Sequence, residues 1–296
     1  MAIPESQLDT WSHQGSITQS SNTYSSIKAT LGATDTPYAS KAYKVFLQGS
    51  YGNDTNIFSE SDVDIVIRLD DCFQHDLSRL PVEQQDAFKD SHSDAMYTHR
   101  DFKDDVLGVL SDKYGDDVDS GDKAIAIAPS GSRRKSDVIS AIQYRRYDKF
   151  ISNSDQSYDE GICFYTKAGT KIANYPKQHS ENLTSKHQGT SSWFKPMARI
   201  LKNVRSRSIA EGMLAEGVAP SYYLEGMLYN VPNEKFGKSY ADTFVNAINW
   251  ILEADRTKFL CTNEQYYLLF ENSSVTWRAE KCDKFLAAAV DLWKQW

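Results

Sequence analysis

The sequence predicts an α/β (α+β) chain, with a mixed twisted sheet in its first part and a mainly helical second part. Three observations predict it. Two apolar runs, 43–48 and 62–69, have strand length and flank a Gly-Ser turn. Residues 123–175 hold further short extended segments divided by Gly and Pro, and from about residue 180 onward apolar positions recur at helical spacing. At 296 residues and 40% hydrophobic content, the chain can bury a full core in one large domain or in two closely packed lobes.

Residues 1 to about 40 are polar and rich in Ser and Thr, with scattered apolar positions at Leu8, Trp11, Ile17, Ile27 and Leu31. Helices leading into the sheet are expected there. After the first two strands the pattern turns helical between 71 and 115, clearest over Asp101 to Leu110, where Phe102, Val106, Val109 and Leu110 share a face. Lys123 to Ala128 alternates small and branched residues until Pro129-Ser130-Gly131 breaks it, and Asp137 to Tyr144 resumes extended character. Gly161 to Thr166 and Lys171 to Tyr175 read as a hairpin joined through Ala168-Gly169. Helices are expected over Trp193 to Ser206, Tyr222 to Tyr229, Phe236 to Leu252 and Val275 to Trp296. The expected boundary lies near Asn174-Tyr175-Pro176, giving lobes 1–175 and 176–296.

Composition narrows the function classes. A formal net charge of −7 argues against a long nucleic-acid groove, which calls for a basic face. The cysteines at 72, 163, 261 and 282 form no Cys-x-x-Cys pair, so a structural zinc site or a disulfide framework is not expected. No apolar run approaches the length of a membrane span, and a cytoplasmic protein is expected.

The chemistry concentrates in residues 46–67. Asp62 and Asp64 lie two apart in an apolar run, so in a strand they share one face while Val63, Ile65 and Ile67 enter a core. Two carboxylates on one strand face repel, and a divalent cation between them relieves that repulsion. Mg²⁺ suits the position because it takes hard oxygen ligands, keeps waters and accepts substrate phosphates. Gly49-Ser50 supplies the complementary half: a sharp turn, a hydroxyl and local N–H groups for phosphate oxygens. Asp-x-Asp alone is common in surface turns, but the preceding Gly-Ser pair favours a nucleoside triphosphate and metal site. No Ser-His-Asp or Cys-His arrangement, Walker loop or Rossmann fingerprint competes with it.

Gly49-Ser50 followed by Asp62-Val63-Asp64-Ile65 resembles the signature of the polymerase-beta-like nucleotidyltransferases. The wording Phe46-Leu47-Gln48-Gly49-Ser50-Tyr51-Gly52-Asn53-Asp54-Thr55 is most similar to their CD-NTase branch, bacterial relatives of cyclic GMP-AMP synthase and oligoadenylate synthase. The two-metal chemistry of such enzymes needs a third acidic ligand on a neighbouring strand. Asp137, opening an apolar stretch after Arg133-Arg134-Lys135, is the best candidate, and the resemblance supports the same choice. Asp116, Asp117, Asp119 and Asp122 read more simply as a solvated acidic loop.

In the helical part, Lys202 reads equally as surface solvation or a triphosphate clamp, Ser221 as an N-cap or a phosphate contact, and Tyr222 as core or a base-stacking ring. The resemblance implies that these three, with Gln48, Gly49 and Ser50, bind nucleotide. Lys195, Arg199 and Glu225 are further candidates, and His179 and His187 read as structural or lobe-linking polar residues.

The resemblance implies an enzyme that uses two Mg²⁺ ions, with Mn²⁺ as a substitute, to join purine nucleoside triphosphates such as ATP and GTP into a cyclic di- or trinucleotide. Pyrophosphate is released, and the product serves as an anti-phage second messenger read by a separate effector. Two other readings stay open. One is a single-transfer nucleotidyltransferase acting on a small molecule, RNA end or protein. The other is a non-catalytic nucleotide sensor, against which the three acids weigh.

Overall fold

The structure, a computed structural model, describes residues 2–15, 17–58, 62–271, 273 and 275–296. Ser59-Glu60-Ser61, within the motif stretch read from the sequence, lies outside the described residues. In chain order the elements begin α1 (Glu5–Ser12), α2 (Thr18–Leu31), β1 (Tyr43–Leu47), α3 (Gly49–Gly52) and β2 (Val63–Asp76). They continue α4 (Val82–Ser91), α5 (His99–Tyr114), β3 (Val118–Ser120), β4 (Ile125–Ile127), β5 (Ser136–Ser152), β6 (Asp155–Tyr165) and β7 (Lys171–Asn174). Five longer helices close the chain: α6 (Pro176–Gly189), α7 (Phe194–Ala210), α8 (Ser221–Tyr229), α9 (Tyr240–Glu253) and α10 (Ala279–Gln295).

These elements form two units that interleave in sequence. One comprises Thr18–Gln48 and Asp62–Pro176; the other comprises Met1–Ile17, Gly49–Ser61 and Lys177–Trp296. The sheet unit runs β1-β2-β5-β4-β3, with β6 on the far part of β5 and β7 on β6. Among the described strand pairs of this sheet only β2–β5 is parallel, so the sheet is mixed as expected. Val63, Ile65, Val66, Ile67, Val138 and Ile142 are buried in it. Helix α5 opens with a Thr98–Asp101 capping box and buries Phe102, Val106 and Leu110 of the face its periodicity predicts, while Val109 is half-buried.

Strand β2 departs from expectation. The helical pattern read from residue 71 gives way to strand through Asp76, because Phe73 to Asp76 pair with Gln143 to Arg146 of β5 beyond a register shift at Leu69/Phe73. Cross-strand pairing decides a segment whose own sequence is ambiguous.

The helical unit has one core, to which α7 contributes Phe194, Met197, Leu201 and Val204, α8 Leu224 and Met227, α9 Phe244 and Ile248, and α10 Phe285 and Leu286. Phe244 stacks on Trp293 and Trp250 on Phe259 at 4.8 and 5.5 Å. Helix α9 starts at Tyr240 rather than Phe236. Gly237 and Lys238 have φ of 119° and 68°, and the Ser239 hydroxyl then caps the Asp242 N–H. The single boundary expected at 175/176 is therefore not the whole division. Residues 1–17 and 49–61 go with the helices, since Ile3 and Leu8 enter the helical core and Thr55 is bonded to it.

Gly161 of β6 faces Tyr144 of β5, and a Cβ there would fall 2.6 Å from the Asn174 carbonyl oxygen and 3.0 Å from the Tyr175 ring. Gly161→Ala is expected to destabilise the protein by about 1–3 kcal/mol. A urea melt reads this directly; an unchanged midpoint would mean that β7 yields without cost.

Candidate active site

The sheet unit assembles the acids by register. On parallel neighbours β2 and β5, Asp64 is the partner of Asp137 and Val63 of Ser136, and the Val63 N–H donates to the Lys135 carbonyl at 3.0 Å. Val63, Ile65 and Val138 turn inward and are fully buried, so the intervening Asp64 and Asp137 share the other face. Asp62 precedes Asp64 by two positions and is half-exposed.

The same register sets Lys135 beside Asp62, and its Nζ donates to Asp62 Oδ2 at 2.7 Å. That bond, with the charges of Asp62, Asp137 and Asp64, raises the ammonium pKa. Burial lifts the Asp137 carboxyl above its ordinary value; the Asp62 charge adds to this and the Lys135 charge opposes it.

Three hard carboxylates on adjacent strands are a donor set suited to Mg²⁺. Yet among the described residues no three His, Cys, Asp or Glu side chains are gathered closely enough to hold a metal ion as they stand. The expected set is thus assembled in backbone register but not in oxygen positions, and Lys135 engages one of its members. From the sequence, Lys135 reads only as part of the basic run Arg133-Arg134-Lys135. Its place two residues before Asp137, as Asp62 is before Asp64, was the available signal.

Gln48 donates its backbone N–H to the Asp64 carbonyl at 3.0 Å, and its buried Oε1 has no hydrogen-bond partner among the described residues. Such an orphaned acceptor fits a ligand contact.

In the helical unit, Gly49 has φ of 67°, in the left-handed region where Gly is favoured, and opens the four-residue α3. No described residue bonds the Ser50 hydroxyl, while its carbonyl accepts the Thr55 N–H at 2.9 Å. The following turn is held by one face of α7. Lys195 pairs with the Asp54 carboxylate at 2.9 Å, Arg199 donates to the Asp54 carbonyl at 2.5 Å, and Lys202 donates to the Thr55 carbonyl and hydroxyl at 3.0 and 3.1 Å. Positions 195, 199 and 202 are one turn apart on the helix surface.

Lys202 corrects an expectation. Its side chain is fully buried, and its third bond goes to Glu225 Oε1 at 2.6 Å. All three ammonium protons are used inside the protein, so Lys202 is not a triphosphate clamp in this arrangement. Glu225 also accepts from Thr55 Oγ1 at 2.5 Å and contacts His179 Nε2 at 3.1 Å. Burial pushes the Glu225 carboxyl upward, but the Lys202 charge and the His179 and Lys202 bonds outweigh it and hold the carboxyl well below its usual range.

His179, structural as expected, stacks on the Tyr222 ring at 5.0 Å. One face of Tyr222 is thus occupied, and its hydroxyl accepts from Asn263 Nδ2 at 3.0 Å. Ser221 opens α8 after Pro220, and its hydroxyl accepts from Arg205 Nη1 at 3.0 Å. His187 is likewise structural, its Nδ1 accepting the Lys195 N–H at 3.3 Å. Of the acidic loop, Asp117 pairs with Arg133 and Asp122 accepts the Lys167 N–H.

A mixed sheet bearing paired aspartates after a Gly-Ser turn, with a separate helical unit, defines a polymerase-beta-like nucleotidyltransferase. Residues 181–294 match the cGAS/DncV-like nucleotidyltransferase C-terminal helical domain. The chain is 42% identical to the cyclic UMP-AMP synthase of Rhodothermus marinus, covering 100% of this chain and 99% of the relative. It is 35% identical to a cyclic nucleotide synthase of Staphylococcus haemolyticus, over the full length of both. With the cyclic dipurine nucleotide synthase of Elizabethkingia meningoseptica it shares 32% identity over 93% of each chain. The solved Rhodothermus marinus synthase, bound to Apcpp and Upnpp, superposes with a TM-score of 0.89, 41% identity and coverage of 99% and 97% of the two chains. The chain belongs to the CD-NTase family, and it is a nucleotidyltransferase.

Lys202→Met is expected to cost about 3–5 kcal/mol by stranding a buried carboxylate, whereas Lys202→Met with Glu225→Gln costs less. Because the folded-state Glu225 value is depressed, the stabilisation is present above the ordinary glutamate value of about 4.3 and is lost as pH falls below it. Urea melts between pH 7 and 3 should therefore show a shallower acid decline in the double variant than in the parent; parallel curves would deny Glu225 this role.

Proposed function

We propose that the protein joins two nucleoside triphosphates into a cyclic dinucleotide, releasing pyrophosphate at each of two transfers. The observation that carries this reading is the in-register pairing of Asp64 with Asp137, with Asp62 beside them. The sheet unit is the catalytic lobe and the helical unit the nucleotide-binding lobe. Asp62, Asp64 and Asp137 would hold two Mg²⁺ ions, replaceable by Mn²⁺, which would supply Lewis-acid stabilisation of the transferring phosphoryl group and of the departing pyrophosphate. Asp137, whose carboxyl is raised by burial, accepts the proton of the attacking ribose hydroxyl. That oxygen bonds to the donor's α phosphorus as the bond to pyrophosphate breaks.

The Gly49-Ser50 turn and the Ser50 hydroxyl orient the triphosphate, and Gln48 Oε1 accepts from a donor group of the nucleotide. Ser221 and Tyr222 serve the donor nucleotide, while Lys202 acts at one remove by fixing Thr55 and the turn that follows Ser50. Uridine and adenosine are the favoured bases, given the cyclic UMP-AMP synthase at 42% identity. An all-purine product, the expectation from sequence, is supported by the dipurine relative at 32%. The product acts in the cytoplasm as an anti-phage signal read by a separate effector.

Incubation with all four ribonucleoside triphosphates and Mg²⁺, then phosphatase treatment and mass spectrometry, is expected to give a phosphatase-resistant cyclic product. Asp62→Ala with Asp64→Ala should abolish it. A linear adduct instead would establish single transfer, and turnover surviving in the double variant would refute the acid assignment.

A further inference from the structure

Lys135 sets an ammonium beside the aspartates of β2 and β5. Continuing the β2–β5 register by one position, it stands across from Asp62 as Asp137 stands across from Asp64, and among the described residues its Nζ donates to Asp62 Oδ2 at 2.7 Å. Its side chain is half-exposed, as is that of Asp62, so neither is locked by packing. The carboxylates around it are not gathered as metal ligands. A cation that neutralises a group of acids from within lowers their attraction for a cation from outside, and it withdraws one ligand oxygen directly.

We propose that Lys135 is a built-in counter-ion that weakens binding of the bare metal ion and yields to metal arriving with a nucleoside triphosphate. This rests on the metal-ligand reading of Asp62, Asp64 and Asp137. A free divalent ion must displace the ammonium and meets its repulsion without compensation. A metal–triphosphate complex brings anionic oxygens with which the displaced ammonium can pair, so its exit from Asp62 costs less. Metal and nucleotide then bind with positive coupling, each raising the affinity of the other by the same factor. The acids are spared occupation by metal in the absence of substrate.

The test is Mn²⁺ binding to the purified full-length protein, followed by electron paramagnetic resonance, alone and with a non-hydrolysable ATP analogue. In the parent, Mn²⁺ should bind weakly alone and more tightly with the analogue. Lys135→Met should bind Mn²⁺ alone about tenfold more tightly or better, with the enhancement by the analogue reduced. Lys135→Arg, which keeps the charge, should stay near the parent, and a thermal melt of each variant checks folding.

Unchanged Mn²⁺ affinity in Lys135→Met would overturn the proposal. So would a roughly 10- to 100-fold loss, which would make Lys135 a partner that orients Asp62 for the metal. Asp62→Ala with Asp64→Ala separates the two levels of inference: if it leaves Mn²⁺ binding intact, the metal-ligand reading fails; if it abolishes binding while Lys135→Met does nothing, only the counter-ion proposal fails.

Discussion

A buried ion pair, Lys202 with Glu225, organises the helical unit. Lys202 and Glu225 are both out of water, and neither charge would be tolerable there alone. Their desolvation is offset because every ammonium proton has an acceptor, and because Glu225 receives bonds from Lys202 and Thr55 and contacts His179. The partners come from sequence segments far apart: the turn at Thr55, α6 at His179, α7 at Lys202 and α8 at Glu225. Removing any one leaves the others unsatisfied, so the network specifies the path of the chain after Ser50. Lys195 and Arg199 extend the hold to Asp54, whose φ of 56° is tolerable for Asp but uncommon.

The sheet unit meets the same electrostatic problem in a different solvent environment. Asp62, Asp64 and Asp137 bring like charges together on adjacent parallel strands, half-exposed rather than buried. Water, a lysine or a metal can each answer that repulsion, and the answer can change during a reaction. The buried lysine is a fixture; the half-exposed one is exchangeable. Burial makes this difference, since a cation in water can leave a carboxylate for modest cost whereas one in the core cannot.

The acids were legible in the sequence because strand alternation converts residue spacing into shared faces. Asp62 and Asp64 fall on the side opposite Val63, Ile65 and Ile67, and Asp137 opens an apolar stretch after Arg133-Arg134-Lys135. Helix α5 was legible for a parallel reason: Phe102, Val106, Val109 and Leu110 repeat at helical spacing, whereas the Thr98 cap emerged only from the structure. The strand character of residues 71–76 was not, because it depends on pairing with residues some seventy positions away. The role of Lys202 was not legible either. A lysine on an amphipathic helix looks the same whether it faces solvent, a phosphate or a buried glutamate.

The sequence by itself determined the α/β character, the three aspartates and the Gly-Ser turn, since local periodicity and residue chemistry suffice for these. Tertiary structure alone decided that residues 1–17 and 49–61 join the helices, that α7 turns its cations onto Asp54 and Thr55, and that Lys135 stands on Asp62. The reason is physical. Burial and cross-strand register are properties of distant partners, and they determine whether a charged side chain is a ligand, a tether or a counter-ion.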